Sequence, residues 1–199
     1  AGFGLLGAVE EATADEVERL YRTNVIGLLN VTRAVLPHMR AQRSGRILNV
    51  SSIGGYRAVP GFGVYSSTKF AVEALADTQR LELRGSNIFV SLIEPGPIKT
   101  RFRDNALAAF RAHIDPATSA HRERYEALLA RLLGQRGALP FTLPPEAVLK
   151  KVIRALEARQ PKARYSVTFP TRLFLVLRRV LPVRTLDAIL GAVSNGGQR

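Results

Sequence analysis

Tyr65 and Lys69 offer the clearest chemistry in the sequence. Residues four apart share one face of a helix. A free tyrosine titrates near ~10, and an ammonium close to the phenol favours its ionised form. A tyrosine in that setting can act as acid and base near neutral pH. Ser52 precedes it by thirteen residues, just past a short apolar segment. Asn24 stands inside an apolar stripe, four residues from both Leu20 and Leu28. A polar amide at such a position must find partners or it costs stability.

The elements that hold these residues read as alternating strands and helices. Thr13 and Glu16 form a capping-box pattern. The helix that follows is expected to bury Val17, Leu20, Leu28, Val31 and Val35 and to end near Pro37. Residues 46–50 read as a strand that breaks at Ser51, and 59–63 as a loop. Residues 66–84 read as a helix with Phe70, Leu75 and Leu81 among its apolar positions. The nearly continuous apolar run 88–93, ended by Pro95 and Gly96, suits a parallel strand buried on both faces. An irregular and helical stretch is expected over 99–137 and a helix over 145–158, with Pro145 in its first turn. A third strand is expected over 165–169, helices over 171–181 and 184–193, and a frayed tail at 195–197. The order is that of an α/β chain with a parallel sheet, and its length fits one domain.

Composition removes several alternatives. There is no cysteine, hence no disulfide and no thiolate metal site. His38, His113 and His121 lie far apart and form no metal-ligand pattern. No apolar run approaches the ~20 residues of a membrane-spanning helix, and no signal-peptide pattern opens the chain. A cytoplasmic location is compatible with this reading. The net charge of +13 comes mostly from scattered arginines. No zinc-finger spacing, RNP-like motif or basic run accompanies it, so a nucleic-acid partner is not expected. Gly2, Gly4 and Gly7 match G-x-G-x-x-G literally, but no strand precedes them and no helix opens there. Ser52 is no hydrolase elbow, because Val50 stands where a glycine is required.

Taken in order, five segments resemble the short-chain dehydrogenase/reductase family, in its hydroxysteroid and retinol dehydrogenase-like branch. They are Ala1-Gly2, Asn24 to Gly27, Asn49 to Ser52, Tyr65-x-x-x-Lys69 and Pro95 to Thr100. The resemblance implies an α/β fold, the C-terminal part of a Rossmann-type doubly wound parallel sheet with terminal substrate-pocket helices. It implies an NAD(P)-dependent oxidoreductase interconverting an alcohol and a ketone or aldehyde, with a slight lean to NADP(H). Asn24, Ser52, Tyr65 and Lys69 would be catalytic: Tyr65 exchanges the proton, Ser52 steadies the substrate oxygen, Lys69 lowers the tyrosine pKa, and Asn24 holds a relay water. Gly2, Tyr65, Lys69, Pro95, Gly96, Ile98 and Thr100 would contact the cofactor. No metal is implied.

The same resemblance divides the chain into catalytic motifs over 1–100 and substrate-binding and C-terminal helices over 101–199, within one partial domain. No segment matches the family's T-G-x-x-x-G-x-G cofactor turn, and about four of its seven strands find no counterpart. The isolated chain is therefore expected to be inactive, to bind no dinucleotide measurably and to expose a strand edge. The complete enzyme would be a homo-oligomer. Phe102, Leu107, Phe110 and Leu139 suggest an apolar substrate. Two other readings stay open: a non-enzymatic remnant or interaction module without a dinucleotide, and a weak peripheral membrane contact through residues 174–179.

Overall fold

In a computed structural model of the chain, residues 2–133 and 141–194 are described. Leu139, the end of the 99–137 stretch and the tail at 195–197 lie outside them. Thr13 caps α1 (Ala14–Tyr21), and both halves of the capping box form. The helix then widens into a π-turn, Arg22–Ile26, where Gly27 N–H bonds Arg22 O, before continuing as α2 (Gly27–Ala41).

The wide turn inserts one residue into the register. Asn24 and Val25 both become buried, and the inward face downstream shifts by one position. Thr32 is buried there, whereas Val31, expected inside, is 65% exposed. Leu28, Leu36 and Met39 pack on the core. That packing carries α2 past Pro37, where the sequence pattern would end it, and the last turn closes with Ser44 N–H on Met39 O at 3.1 Å.

Strand β1 (Gly45–Val50) leads through a 3-10 turn, Ile53–Gly55, to α3 (Gly63–Glu82). This helix starts three residues before its expected beginning, which brings Tyr65 into its first turn. At the other end Leu81 is exposed and Leu83 buried. Strand β2 (Ile88–Glu94) is followed by α4 (Phe102–His113), α5 (Arg122–Leu133), α6 (Glu146–Glu157) and β3 (Arg164–Ser166). Helices α7 (Phe169–Val180) and α8 (Val183–Ser194) complete the described chain. The third strand is shorter than expected: Val167 N–H still donates to Glu94 O at 3.1 Å, but Thr168 already takes the N-cap position of α7, whose first turn holds Pro170 and suits a helix start.

The strands are parallel in the order β1-β2-β3, with Gly45 opposite Ile88 and Leu92 opposite Arg164. Ile47, Val90 and Leu92 pack with Val72 and Ala76 of α3 and with α2. Ile93 and Tyr165 pack with Ala155 of α6 in a second cluster. Arg46 joins β1 to α6 by donating to Ala155 O at 3.2 Å and Ala158 O at 2.7 Å. Among the described residues β1 pairs only with β2, and beside its open edge Val50 is 53% exposed.

Leu92 is fully buried in the central strand. Leu92→Ala should cost roughly 2–5 kcal/mol, read from the midpoint of chemical denaturation at an unchanged slope.

Candidate active site

The site lies beyond the carboxyl ends of β1 and β2, where open α/β sheets take their ligands. The strands stay joined past their last paired residues: Ser51 N–H donates to Ile93 O and Ile53 N–H to Pro95 O, both at 2.8 Å. Ser52 sits between these two bonds. Its hydroxyl accepts from Gly54 N–H at 3.1 Å, fixing the turn, and it also hydrogen-bonds the Tyr65 phenol.

Tyr65 is buried, with its ring 5.3 Å from that of Phe102. Burial raises its pKa above the ordinary tyrosine value, and the bond from Ser52 offsets only part of that effect. The expectation that Lys69 lowers the tyrosine pKa is not met in this structure. The ammonium lies 5.8 Å from the ring centroid and donates to Val50 O at 3.0 Å, so desolvation of the phenolate dominates. Lys69 itself is pushed down to about 8 by burial, with Glu73 acting in the opposite sense.

Asn24 is held by three bonds. Its Nδ2 donates to Phe3 O at 3.0 Å and Thr68 Oγ1 at 3.2 Å, while Phe3 N–H donates to its Oδ1 at 3.1 Å. The amide therefore staples the segment around Gly2 and Phe3 onto α3. A Cβ at Gly2 would lie 2.9 Å from Asn24 Oδ1, which explains the absence of a side chain there. At Gly96 a Cβ would come within 2.0 Å of Thr168 Oγ1, so glycine lets the end of β2 press against the start of α7. Lys99 N–H and Leu143 O bond at 3.0 Å beside Ile98. Thr100 is exposed, and its hydroxyl accepts from Phe102 N–H at 3.3 Å.

One cavity of about 1410 Å³ joins these positions. Its wall includes Gly2, Asn24, Ser52, Tyr65, Lys69, Pro95, Gly96, Ile98 and Thr100, so the structure brings every candidate site residue together. It also extends along the open flank of β1, past Val31 and Val50. Of the apolar residues expected at the pocket, Phe102 lines it. Phe110 instead packs in a separate cluster with Leu6 and Tyr125, and Leu107 is buried away from the cavity. The apolar wall comes from Phe62, Phe141, Phe169, Phe174 and Ile189.

Phe174 is buried against Tyr56 and Leu190. Arg178 secures α7 by donating to Tyr56 O at 3.2 Å and by lying 4.7 Å from the Phe70 ring centroid. Phe169, Leu173, Phe174 and Leu177 of this helix line the cavity, while Val176 and Val180 are exposed. No described helix is long and apolar enough to cross a membrane.

Sequence reasoning missed a second set of polar groups behind the site: Glu73, Asp77, Glu94, Arg164 and Ser166. Glu73 continues the four-residue spacing of Tyr65 and Lys69, and Glu94 closes an otherwise apolar strand. Both signals were available.

Residues 1–109 match the family described as short chain dehydrogenase. The chain belongs to this family. It is 40% identical over 190 residues to the uncharacterized oxidoreductase YbbO of Escherichia coli, covering 96% of this chain and 64% of that protein. Human 17-beta-hydroxysteroid dehydrogenase type 1 is 33% identical over 180 residues, covering 90% of this short-chain dehydrogenase and 53% of the human protein. A solved short-chain dehydrogenase from Streptomyces avermitilis superposes with TM-score 0.73 at 27% identity, over 100% of this chain and 69% of that one. The closed form of a serine dehydrogenase complexed with NADP+ gives 0.69 at 25% identity, over 86% and 63%. These neighbours match the Rossmann-type α/β architecture. Against YbbO, this short-chain dehydrogenase spans a little under two thirds of the relative's length.

Asn24→Ala would leave the Phe3 amide and carbonyl without their partner. We expect a loss of roughly 1–3 kcal/mol and faster hydrogen exchange at Phe3 N–H than in the parent protein.

Proposed function

We propose that this protein catalyses hydride transfer between NAD(P)H and an apolar ketone or aldehyde, and the reverse oxidation of the alcohol. The observation that carries the reading is the meeting of Ser52, Tyr65 and Lys69 on the cavity that Gly2, residues 95–98 and Thr100 also line. The cavity suits a nicotinamide nucleotide. Its wall is bare of side chain at Gly2, carries an ammonium at Lys69, and offers backbone and hydroxyl groups from Pro95 to Thr100. The NADP+-bound serine dehydrogenase supports this choice of ligand, with NADP(H) slightly favoured.

When bound, the dinucleotide supplies the hydride. Tyr65 gives its phenolic proton to the oxygen of the carbonyl being reduced, and takes it back when the alcohol is oxidised. The phenol is protonated at neutral pH at the ordinary tyrosine value, burial shifts it further toward that form, and the protonated form is the one that donates. Ser52 hydrogen-bonds the same oxygen and steadies charge as it develops. Lys69, on the same cavity wall, would hold the ribose side of the dinucleotide. Asn24 acts through position, keeping the Gly2 and Phe3 segment against α3. The aromatic wall from Phe62, Phe102, Phe169 and Phe174 excludes water and favours an apolar substrate.

The test is Tyr65→Phe, assayed with NADPH and an apolar ketone. This change keeps the ring and removes the proton. Turnover should fall at least ~10²-fold while the affinity for NADPH stays near the parent value. Turnover within a factor of about two of the parent would refute the assignment of Tyr65 as proton donor. Lys69→Met should weaken NADPH binding and alter the pH profile. An unchanged KM and pH profile would reduce Lys69 to a structural charge.

A further inference from the structure

One face of α3 carries ionisable groups at four-residue intervals: Tyr65, Lys69 and Glu73, which are buried, and the half-buried Asp77. Glu73 is buried one turn beyond Lys69. On its other side it meets the guanidinium of Arg164, which reaches in from β3. Arg164 also donates to Glu94 Oε1 at 2.9 Å and to Asp77 Oδ2 at 2.6 Å. Ser166 Oγ donates to the second oxygen of Glu94 at 2.8 Å. Arg80 pairs with the other oxygen of Asp77 at 2.5 Å, so two guanidinium groups meet the three carboxylates, and Glu73 is the one that stands a helical turn from Lys69.

Glu73 also touches the turn that carries Ser52. A Cβ at Gly55 would lie 2.7 Å from Ser51 Oγ, 2.8 Å from Glu73 Cγ and 3.0 Å from Glu73 Oε1. The glycine therefore opens the space in which the carboxylate meets the turn. A carboxylate in this position has no contact with the cavity that the sequence motifs define, yet it adjoins both the lysine and the serine turn.

We propose that Glu73, clamped by Arg164, is a positioning residue whose negative charge keeps the Lys69 ammonium protonated and seated on Val50 O. The inference deepens the hydride-transfer reading, because Lys69 is the residue through which it would affect catalysis. Every charged or titratable neighbour of Glu73 enters the balance. Lys69 and Asp77 flank it on α3, Asp77 being paired in turn with Arg80; Arg164 faces it from β3 and Glu94 from β2, and Glu73 itself raises the pKa of Tyr56 in the turn after β1. Burial, with Glu94 in the same sense, holds the pKa of Glu73 above the ordinary carboxylate value, and Ser51 and Arg164 offset only part of that rise. Burial likewise lowers that of Lys69 to about 8, and Glu73 opposes the loss. Removing the carboxylate leaves burial unopposed, so the sign is fixed: the lysine must lose its proton at lower pH.

The protein without cofactor, labelled with 13Cε-lysine and assigned with Lys69→Arg, gives the test. In Glu73→Gln the titration midpoint of Lys69 should fall by about one pH unit. Glu73→Asp keeps the charge but withdraws it by one methylene, and its midpoint should fall by about 0.3 pH unit. Arg164→Lys should keep the parent midpoint more closely than either. An unchanged Lys69 midpoint in folded Glu73→Gln overturns the proposal. Where that variant does not fold, a parent-like midpoint in Glu73→Asp does the same. The resonance needs neither cofactor nor substrate, so failure here leaves the Tyr65 reading standing. Conversely, a Tyr65→Phe enzyme of parental turnover would remove that reading and leave the Lys69 shift intact.

Discussion

A buried ammonium at the carboxyl end of β1 constrains everything around it. Removing a cation from water carries a large cost unless dipoles and counter-charges replace the lost hydration. For Lys69 the replacements are the Val50 carbonyl and the Glu73 carboxylate. The Val50 carbonyl is available because β1 ends there and its neighbours Ser51 and Ile53 bond to β2 and the residues after it. The carboxylate is tolerable because Arg164 crosses from the edge strand to meet it. The short strand β3 therefore supplies more than sheet hydrogen bonds: it brings the guanidinium that pairs with Glu73, Asp77 and Glu94 behind the site.

The same geometry explains why so much polar chemistry sits on one helix face. α3 buries Tyr65, Ser66, Thr68, Lys69 and Glu73 beside Val72 and Ala76. Its first turn meets the end of the sheet, where ligands bind, and its later turns cover the apolar sheet face with Ile47, Val90 and Leu92. Polar groups at the start of the helix and apolar groups further along follow from that change of surroundings. Asn24 joins this arrangement through Thr68, and the π-turn that carries it keeps both Asn24 and Val25 inside.

The strands, the long helices and the candidate residues that share the cavity were legible because each rests on local signals: an apolar run, a capping box, a four-residue spacing. Asn24 was visible as a polar residue in an apolar stripe. What it bonds to was not, since Phe3 and Thr68 are distant in sequence. Val31 was misplaced because a π-turn changes the helical phase, and simple periodicity cannot register one inserted residue. Phe110 was misplaced for another reason: an apolar residue in a pocket-forming region can equally face a small core, here beside Tyr125. The rise in the Tyr65 pKa depends on burial weighed against charge distance, which spacing alone does not give. Arg164 stands far along the chain from Glu73, so only the pairing of β3 with β2 reveals their meeting.

The central claim is that Ser52, Tyr65 and Lys69 work on a carbonyl oxygen while a nicotinamide delivers hydride to the adjoining carbon. The direct measurement is a turnover of an apolar ketone with NADPH deuterated at the transferring position of the nicotinamide, followed by mass spectrometry of the alcohol. The account predicts one deuterium on the carbinol carbon, formed by the parent protein and suppressed in Tyr65→Phe. Alcohol formed without deuterium at that carbon, or formed equally by Tyr65→Phe, would contradict it.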